Sequence, residues 1–368
     1  MKLKLKAAMA IALFLSLSFL ARAAVLRCEE NWETEWARTV KAAEEEGQVV
    51  VYKIAGDAEW HAFQKRFPRI KVKLVPGAAS EILKRMMAER RGGKFLADVV
   101  RLGGGTSTTL AKAKALEPIA SAFILPEVKD PSRWFEGRHH YNDSENQYVF
   151  AYAAFPLRLV GYNTRTVDPK GLTTFWDLLE PKWKGRITAK DPREPGGGGP
   201  MLFLYHSPNL GPEYIKRLIL GGALTLIRDE RQQTDWLASG KRPIAITAKA
   251  DRVDQAKEQG LPVEMLDAHA LKKDGVGLEA GGTMISLVAN APHPNAAKVV
   301  INWFLSRDGQ MAVQKGDDPG HNSLREDIPK DDLPPWAQRH KGIKYLRLWG
   351  PEVWDRTPIR KLVGEVLK

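Results

Sequence analysis

The chain has 368 residues, of which 43% are apolar and 27% charged, and it contains a single cysteine. This length fits about two domains, and the apolar fraction excludes an intrinsically disordered chain. One cysteine excludes a disulfide framework within the chain and any multi-cysteine metal site. The formal net charge of +12 fits an anionic partner or diffuse surface charge. Because the basic residues do not cluster with aromatic residues in one stretch, we expect no nucleic-acid partner.

The first 23 residues have the order of a secretory signal peptide. Three lysines precede an apolar run over residues 7–20, and Ala21-Arg22-Ala23 forms a small-x-small cleavage motif. The run is short for a membrane-spanning helix, so we expect residues 1–23 to be cleaved and the protein to be exported to the periplasm. A retained anchor is one alternative. A lipoprotein that begins at Cys28 is another, although Arg27 does not suit that processing site.

Strands alternate with helices in the first third of the chain. A helix over residues 31–46 comes first, and strands are predicted over residues 48–54, 70–75 and 95–101 because each run is rich in β-branched or apolar residues. A turn and a helix follow each strand, and these helices are predicted over residues 58–67, 81–91 and 108–115. Three such units are typical of a parallel sheet with helices on both faces.

A second α/β set follows the apolar stretch Tyr148–Gly161, which could form one long strand or two strands joined at Pro156. We predict further strands over residues 185–189, 243–247, 261–266 and 284–289. We predict further helices over residues 201–206, 212–220, 251–259, 295–305 and 357–368.

Three turns, over residues 77–80, 103–107 and 196–199, each follow a predicted strand and precede a predicted helix. Ligands of open α/β sheets bind beyond the carboxyl ends of the strands, where helix N-termini present free N–H groups that suit an anion. Candidate anion contacts are therefore Ser80, Thr106 and Ser107, with Arg101 as a charge partner. The same turns could instead be caps and tight turns alone.

Motifs of nucleotide binding and catalysis are absent from the sequence. The run Gly103-Gly104-Gly105 lacks the later glycine of a dinucleotide site and the Lys-Ser/Thr pair of a phosphate-binding loop. There is no His-Glu-x-x-His motif and no Gly-x-Ser-x-Gly motif. The adjacent His139 and His140 would face opposite ways in a strand, which disfavours a shared metal. We therefore expect no enzyme, no metal and no cofactor.

Several segments resemble the extracellular solute-binding proteins of ABC importers, in the family that includes ferric-iron-binding members. Two of them are specific: TFWDLLEPKWKGRITAKDP over residues 174–192 and APHPNAAKVVINWFLSRDGQ over residues 291–310. Others are EEEGQVVVY, GGGTSTTLAKAKALEP and GYNT. The resemblance covers residues 40–328 and implies a type II periplasmic-binding fold, with two α/β lobes and a ligand cleft that closes by hinge motion.

The sequence departs from the iron-binding relatives at one place. Those relatives hold iron with two adjacent tyrosines on the second lobe, whereas no two of the eight tyrosines here are adjacent. At the matching position stand Ala248-Lys249-Ala250-Asp251. A lysine opposes a trivalent cation and suits an anion. We therefore expect a small anionic or zwitterionic organic solute, such as a carboxylate, a phosphonate or a phosphate ester.

The expected division places residues 24–155 and 262–305 in the first lobe and residues 156–261 and 306–368 in the second lobe. The expected ligand-binding residues lie at strand ends and glycine-rich turns of both lobes: Ile54, Ala55, Ser80, Arg101, Gly104, Gly105, Thr106, Ser107, Gly197, Gly198 and Lys249. The expected partners are the solute and an inner-membrane ABC permease, and the family resemblance favours a monomer. The alternatives are a ferric-iron carrier, a module that presents its ligand to a sensor kinase, and an exported hydrolase.

Overall fold

The computed structural model describes residues 32–54, 57–194, 199, 201–316 and 321–368. Its strands are, in chain order, β1 (Gln48–Lys53), β2 (Lys71–Pro76), β3 (Val99–Leu102), β4 (Leu116–Glu117), β5 (Phe150–Ala151), β6 (Phe155–Pro156), β7 (Val160–Asn163), β8 (Ile187–Lys190), β9 (Leu224–Ile227), β10 (Ile244–Ile246), β11 (Val263–Met265), β12 (Val276–Glu279), β13 (Met284–Val288) and β14 (Tyr345–Arg347).

Helices separate most of these strands. They are α1 (residues 32–46), α2 (Ala58–Arg66), α3 (Ala79–Arg91), α4 (Gly104–Lys112), α5 (Pro126–Lys129), α6 (Leu202–His206), α7 (Gly211–Leu220), α8 (Glu230–Ala238), α9 (Ala250–Glu258), α10 (Pro294–Leu305), α11 (Arg307–Gln314), α12 (Pro351–Trp354) and α13 (Thr357–Val366). No helix of the described ranges is long and apolar enough to cross a bilayer.

The first sheet has the strand order β2-β1-β3-β13-β4, and β5 also pairs with β13. Its strands β1, β2 and β3 are parallel, whereas β13 runs antiparallel to β3. The run Val49–Val51 in β1 is buried because helices cover both faces of a parallel sheet. The predicted parallel sheet is thus confirmed, and the late strand β13 adds an antiparallel element to it.

The second sheet has the strand order β11-β7-β10-β8-β9. Strands β8, β9 and β10 are parallel, while β7 is antiparallel to both β10 and β11. Each sheet has its own apolar core: the first is built around β1, β3, β13 and α10, and the second around β7, β8, α6 and α7.

A third, small sheet of order β14-β12-β6 joins the two lobes. The apolar stretch over residues 148–161, expected to form one strand or two, instead forms three short strands that belong to three different sheets. Strand β5 lies in the first sheet, β6 in the third and β7 in the second. The stretch is apolar apart from Arg158 because it passes from one core to the other.

The lobe boundaries given above remain a prediction, and strand pairing bears on them at two places. Strand β11 lies in the second sheet, although its residues fall in the segment assigned to the first lobe. Leu324 and Trp349 pack in the first core, although they fall in the segment assigned to the second. The C-terminal segment therefore contacts both lobes.

Candidate functional site

The carboxyl ends of β1 and β3 meet the start of β13 at one edge of the first sheet. The N–H of Ile54 donates to the carbonyl oxygen of Arg101 at 3.3 Å. A Cβ built on Gly282 would lie 2.7 Å from Cδ1 of Ile54, and one built on Gly103 would lie 3.8 Å from the carbonyl oxygen of Gly281. The glycines therefore let three chain segments approach closely at this edge.

Helix α4 begins at this edge, four residues earlier than its predicted start. Gly103 is its N-cap, and no side chain caps the helix. The first N–H groups of a helix have no partner within it, so Gly104, Gly105 and Thr106 present a partial positive charge at the sheet edge. Ser107 is 1% exposed, and its Oγ has no hydrogen-bond partner.

Ser80, predicted to cap a helix that begins at Glu81, lies inside α3, which begins at Ala79. The side chain of Ser80 is exposed. The carboxylate of Glu81 accepts from the N–H of Ala78 at 3.1 Å. A negative charge thus already lies at this helix N-terminus, which makes it a weaker anion site than that of α4.

Arg101 is buried in a network within the first lobe. Its Nη1 donates to Oε1 of Glu59 at 2.5 Å, and its Nε donates to the hydroxyl of Tyr152 at 2.6 Å. The guanidinium is only 3% exposed. The positive charge of Arg101 is therefore already balanced by the carboxylate of Glu59. The buried pair holds the end of β3 in place within the first lobe.

The second sheet brings a group of cations to the corresponding edge. Strand β8 ends at Lys190, Arg228 follows β9, and Lys249 follows β10 as the N-cap of α9. The side chain of Lys249 is 53% exposed. Thr247, with a φ of 58°, accepts from the N–H of Lys190 at its Oγ1 over 3.2 Å. Because β8 lies parallel to both β9 and β10, the residues that follow these strands lie at the same edge of the sheet.

Glu230 lies among three of the cations at this edge. Its carboxylate is 2.7 Å from Nζ of Lys190 and 3.6 Å from both Nζ of Lys249 and Nε of Arg252. Burial alone would raise the pKa of Glu230, but the hydrogen bond from Lys190 and the nearby positive charges outweigh it and lower that pKa. An open cavity of about 600 Å³ is lined by the basic side chains of Lys190, Arg228, Arg231 and Arg252 and by the carboxylates of Asp229 and Glu230.

We name Lys190, Arg228, Lys249 and Arg252, together with Glu230, the cation cluster. The sequence analysis found only Lys249 among them, because β9 and α8 were not predicted. The run LTLI followed by Asp229 was the available signal. Asp229 caps α8 by accepting from the N–H groups of Arg231 and Gln232.

Three expected ligand residues, Ala55, Gly197 and Gly198, lie outside the described residues. Gly199, which follows them, is described. A Cβ built on it would lie 3.1 Å from Nη2 of Arg356, which belongs to the C-terminal segment.

Histidine and carboxylate side chains of the described residues form no group of three or more suited to a metal ion. His140 is buried, and its Nε2 lies 2.7 Å from the carbonyl oxygen of Phe135. Burial lowers the pKa of His140 to about 4. The ring of His139 packs edge-on against Phe123, Trp134 and Phe150. Both histidines are therefore part of the first core.

Comparisons with known proteins agree with this architecture. A family model described as bacterial extracellular solute-binding protein matches residues 33–311. An uncharacterized protein of Haemophilus influenzae is 24% identical over 299 residues, which cover 75% of this chain and 78% of the relative.

Solved structures with a similar fold include an iron- and citrate-bound protein of Trichodesmium, IdiA (FutA). It is 19% identical, covers 87% of this chain and 99% of its own, and gives a TM-score of 0.62. Another is the periplasmic binding protein AfuA of Actinobacillus pleuropneumoniae with fructose-6-phosphate bound. It is 20% identical, covers 87% of this chain and 97% of its own, and gives a TM-score of 0.52.

Proposed function

The chain belongs to the bacterial extracellular solute-binding protein family, and we propose that it captures a small anionic or zwitterionic organic solute for an ABC permease. The fold is that of the type II periplasmic binding proteins, as the sequence motifs indicated. Carboxylates, phosphonates and phosphate esters are the solute classes that fit. The protein acts in the periplasm after removal of residues 1–23, as a monomer, without nucleic acid and without catalysis.

The cation cluster is the observation that carries the proposal. It places three positive side chains around the carboxylate of Glu230 at the sheet edge of the second lobe. Arg228 lines the adjoining cavity and pairs with Glu194. Such an excess of positive charge beside an open cavity attracts an anion and raises its rate of encounter. Glu230 holds the cations apart and in place, so they are already arranged when the anion arrives.

The first lobe supplies the opposite wall in this proposal. The uncapped N-terminus of α4 lies at the sheet edge of that lobe. A solute that contacts both walls binds the closed form better than the open form, and it therefore shifts the population toward closure. The proposed contacts are Ile54, Ala55, Ser80, Gly104, Gly105 and Thr106 from the first lobe and Gly197, Gly198 and Lys249 from the second, while Ser107 is left out of this set because it is buried.

Iron capture fits this chain less well, although a structural neighbour holds iron and citrate. Lys190, Lys249 and Arg252 surround Glu230 at the sheet edge of the second lobe. A trivalent cation bound at this edge would be repelled by their positive charges. The neighbour with bound fructose-6-phosphate carries the kind of ligand that such cations favour, since Arg and Lys pair strongly with phosphate.

Native mass spectrometry of the mature protein, purified without denaturation, tests the proposal. We expect a co-purified organic anion at one per chain. Calorimetric titration of that compound into the double variant Lys249→Ala/Arg252→Ala should then give a more than tenfold weaker affinity, because two charged contacts are lost. Arg217→Ala serves as the control, since Arg217 is exposed on α7 and pairs with Glu213.

Two results would contradict the proposal. One is a bound ferric ion or a cationic solute in the mass spectrum. The other is an unchanged affinity of the Lys249→Ala/Arg252→Ala variant for the co-purified anion, measured beside an unchanged Arg217→Ala variant.

A further inference from the structure

A tryptophan of the C-terminal segment lies at the junction of the two lobes. The guanidinium carbon of Arg158 lies over the ring of Trp336, 4.0 Å from its centroid. The ring of Phe155 meets Trp336 edge-on, with centroids 6.4 Å apart and an interplanar angle of 85°. Trp336 follows residue 311, where the match to the family model ends. Trp336 therefore belongs to a part of the chain that the family match does not cover, whereas its partners Phe155 and Arg158 lie within the match.

Arg158 connects this tryptophan to the second lobe. Its two terminal nitrogens donate to both carboxylate oxygens of Asp254 in α9, at 3.1 and 2.7 Å. The register of β7 against β10 pairs Val160 with Ile246, so Arg158 lies at the same sheet edge as Lys249. The guanidinium is 12% exposed. The bidentate pair fixes its plane, and with it the platform on which Trp336 packs.

Phe155 connects the same tryptophan to the first lobe. It pairs with Glu279 in the third sheet, and its ring comes within 3.8 Å of the position that a Cβ of Gly281 would occupy. The carbonyl oxygen of Gly281 in turn lies beside Gly103, the N-cap of α4. A continuous path of contacts thus leads from Trp336 to the uncapped helix N-terminus.

Trp336 is incompletely packed at this place. Trp336 is partly exposed. Part of this residue is therefore open to solvent beside Arg158 and Phe155. A half-open tryptophan with one polar group is well suited to contact a ring that carries hydroxyls.

We propose that Trp336 is a specificity-determining residue that stacks on the ring of the solute, and that the solute is a ring-bearing organic anion of the sugar-phosphate type. The inference rests on the proposed function: the cation cluster and the α4 N-terminus hold the acid group, while Trp336 and Phe155 contact the ring. Arg158 acts as a positioning residue, because it holds Trp336 through Asp254 of α9.

The test uses two probes that carry the same acid group, glucose 6-phosphate with a ring and glycerol 3-phosphate without one. Calorimetric titration of the mature wild-type protein should give at least tenfold tighter binding of glucose 6-phosphate. Trp336→Leu should remove that preference and leave the affinity for glycerol 3-phosphate within twofold of wild type. Trp336→Phe, which keeps a ring, should retain part of the preference and shows the effect even if the leucine variant folds poorly.

Trp236→Leu is the matched control, because Trp236 is also partly exposed with a cation, Lys241, 4.4 Å from its ring centroid. It should leave both affinities unchanged. Equal losses for the two probes in Trp336→Leu, or equal wild-type affinities for them, would overturn the role of Trp336 and leave the anion site intact. Failure of the wild-type protein to bind either phosphate would overturn this inference together with a phosphate-binding function.

Discussion

Oε1 of Glu59 accepts from Nη1 of Arg101 over 2.5 Å, and both side chains are almost fully buried in the first lobe. Glu59 lies in α2 and Arg101 at the end of β3, so the pair connects a helix to the strand that leads into α4. Removing one partner of a buried ion pair leaves an uncompensated charge in the interior.

Glu59→Ala should therefore lower the free energy of unfolding by about 3–5 kcal/mol, as measured by urea denaturation followed by circular dichroism. The control is Glu213→Ala, which breaks the exposed pair with Arg217 and should cost less than about 1 kcal/mol. Similar losses in the two variants would show that the buried pair has no special role in the stability of this lobe.

Measurements of ligand affinity should distinguish the hydroxyl groups of two neighbouring residues in α4, Thr106 and Ser107. Thr106 is partly exposed at the third helical position, whereas the buried Oγ of Ser107 has no hydrogen-bond partner. Thr106→Ala should weaken binding of the co-purified anion about tenfold, since a hydrogen bond to a charged group contributes about 1.5–3 kcal/mol.

Ser107→Ala removes a buried hydroxyl that makes no hydrogen bond. The affinity for the co-purified anion, measured by calorimetry, should therefore stay within about twofold of the wild-type value. The free energy of unfolding should not fall. If Ser107→Ala weakens binding as much as Thr106→Ala does, then the helix rotates on closure and brings Ser107 to the solute.

The protonation of His140 should make the free energy of unfolding depend on pH. Burial holds its pKa near 4 in the folded protein, whereas an unfolded chain titrates near the ordinary value of about 6.5. Between these values the unfolded state binds a proton that the folded state does not. Stability is therefore complete above about pH 6.5 and is lost as the pH falls toward 4, by up to about 1.4 kcal/mol per pH unit.

His140→Gln should flatten this part of the profile of unfolding free energy against pH, measured by urea denaturation from pH 4 to 7. His61→Gln is the control, because His61 is exposed on α2 and should leave the slope as in wild type. An unchanged slope in His140→Gln would mean that His140 takes up its proton equally in both states.

The first lobe was largely predictable from the sequence, because short β-branched runs alternate there with helical segments separated by glycine and proline turns. The strand predicted over residues 48–54 is β1 (Gln48–Lys53), and the helix predicted over residues 58–67 is α2 (Ala58–Arg66). Such local signals determine the elements without reference to distant contacts.

The rest of the candidate site required the structure. The stretch over residues 148–161 is apolar apart from Arg158, so its division among three sheets follows from pairing with distant strands. The cation cluster draws on β9 and α8, which were not predicted: β9 is a run of four residues, and α8 is largely polar. Trp336 reaches the third sheet from a segment rich in proline and charge, and only its packing on Arg158 reveals it.

Gly104 should be irreplaceable for a steric reason. A Cβ at this position would lie 2.4 Å from Nδ2 of Asn142, which is buried. That amide donates to Oγ1 of Thr108 at 3.1 Å, and its oxygen accepts from the N–H of Gly350 at 3.0 Å. Gly104→Ala would displace Asn142 and release the C-terminal segment from the first lobe. We expect a loss of about 2 kcal/mol in the free energy of unfolding, as for other overpacked cores, together with weaker binding of the solute.

The comparison with Gly103→Ala isolates the clash. A Cβ on Gly103 would meet only the carbonyl oxygen of Gly281 at 3.8 Å, an ordinary contact, so urea denaturation should give a stability close to wild type. If Asn142 is the obstacle, then the double variant Gly104→Ala/Asn142→Ala should be no less stable than Asn142→Ala alone, because the two effects are not additive. Additive losses would instead place the cost of Gly104→Ala in the backbone of α4.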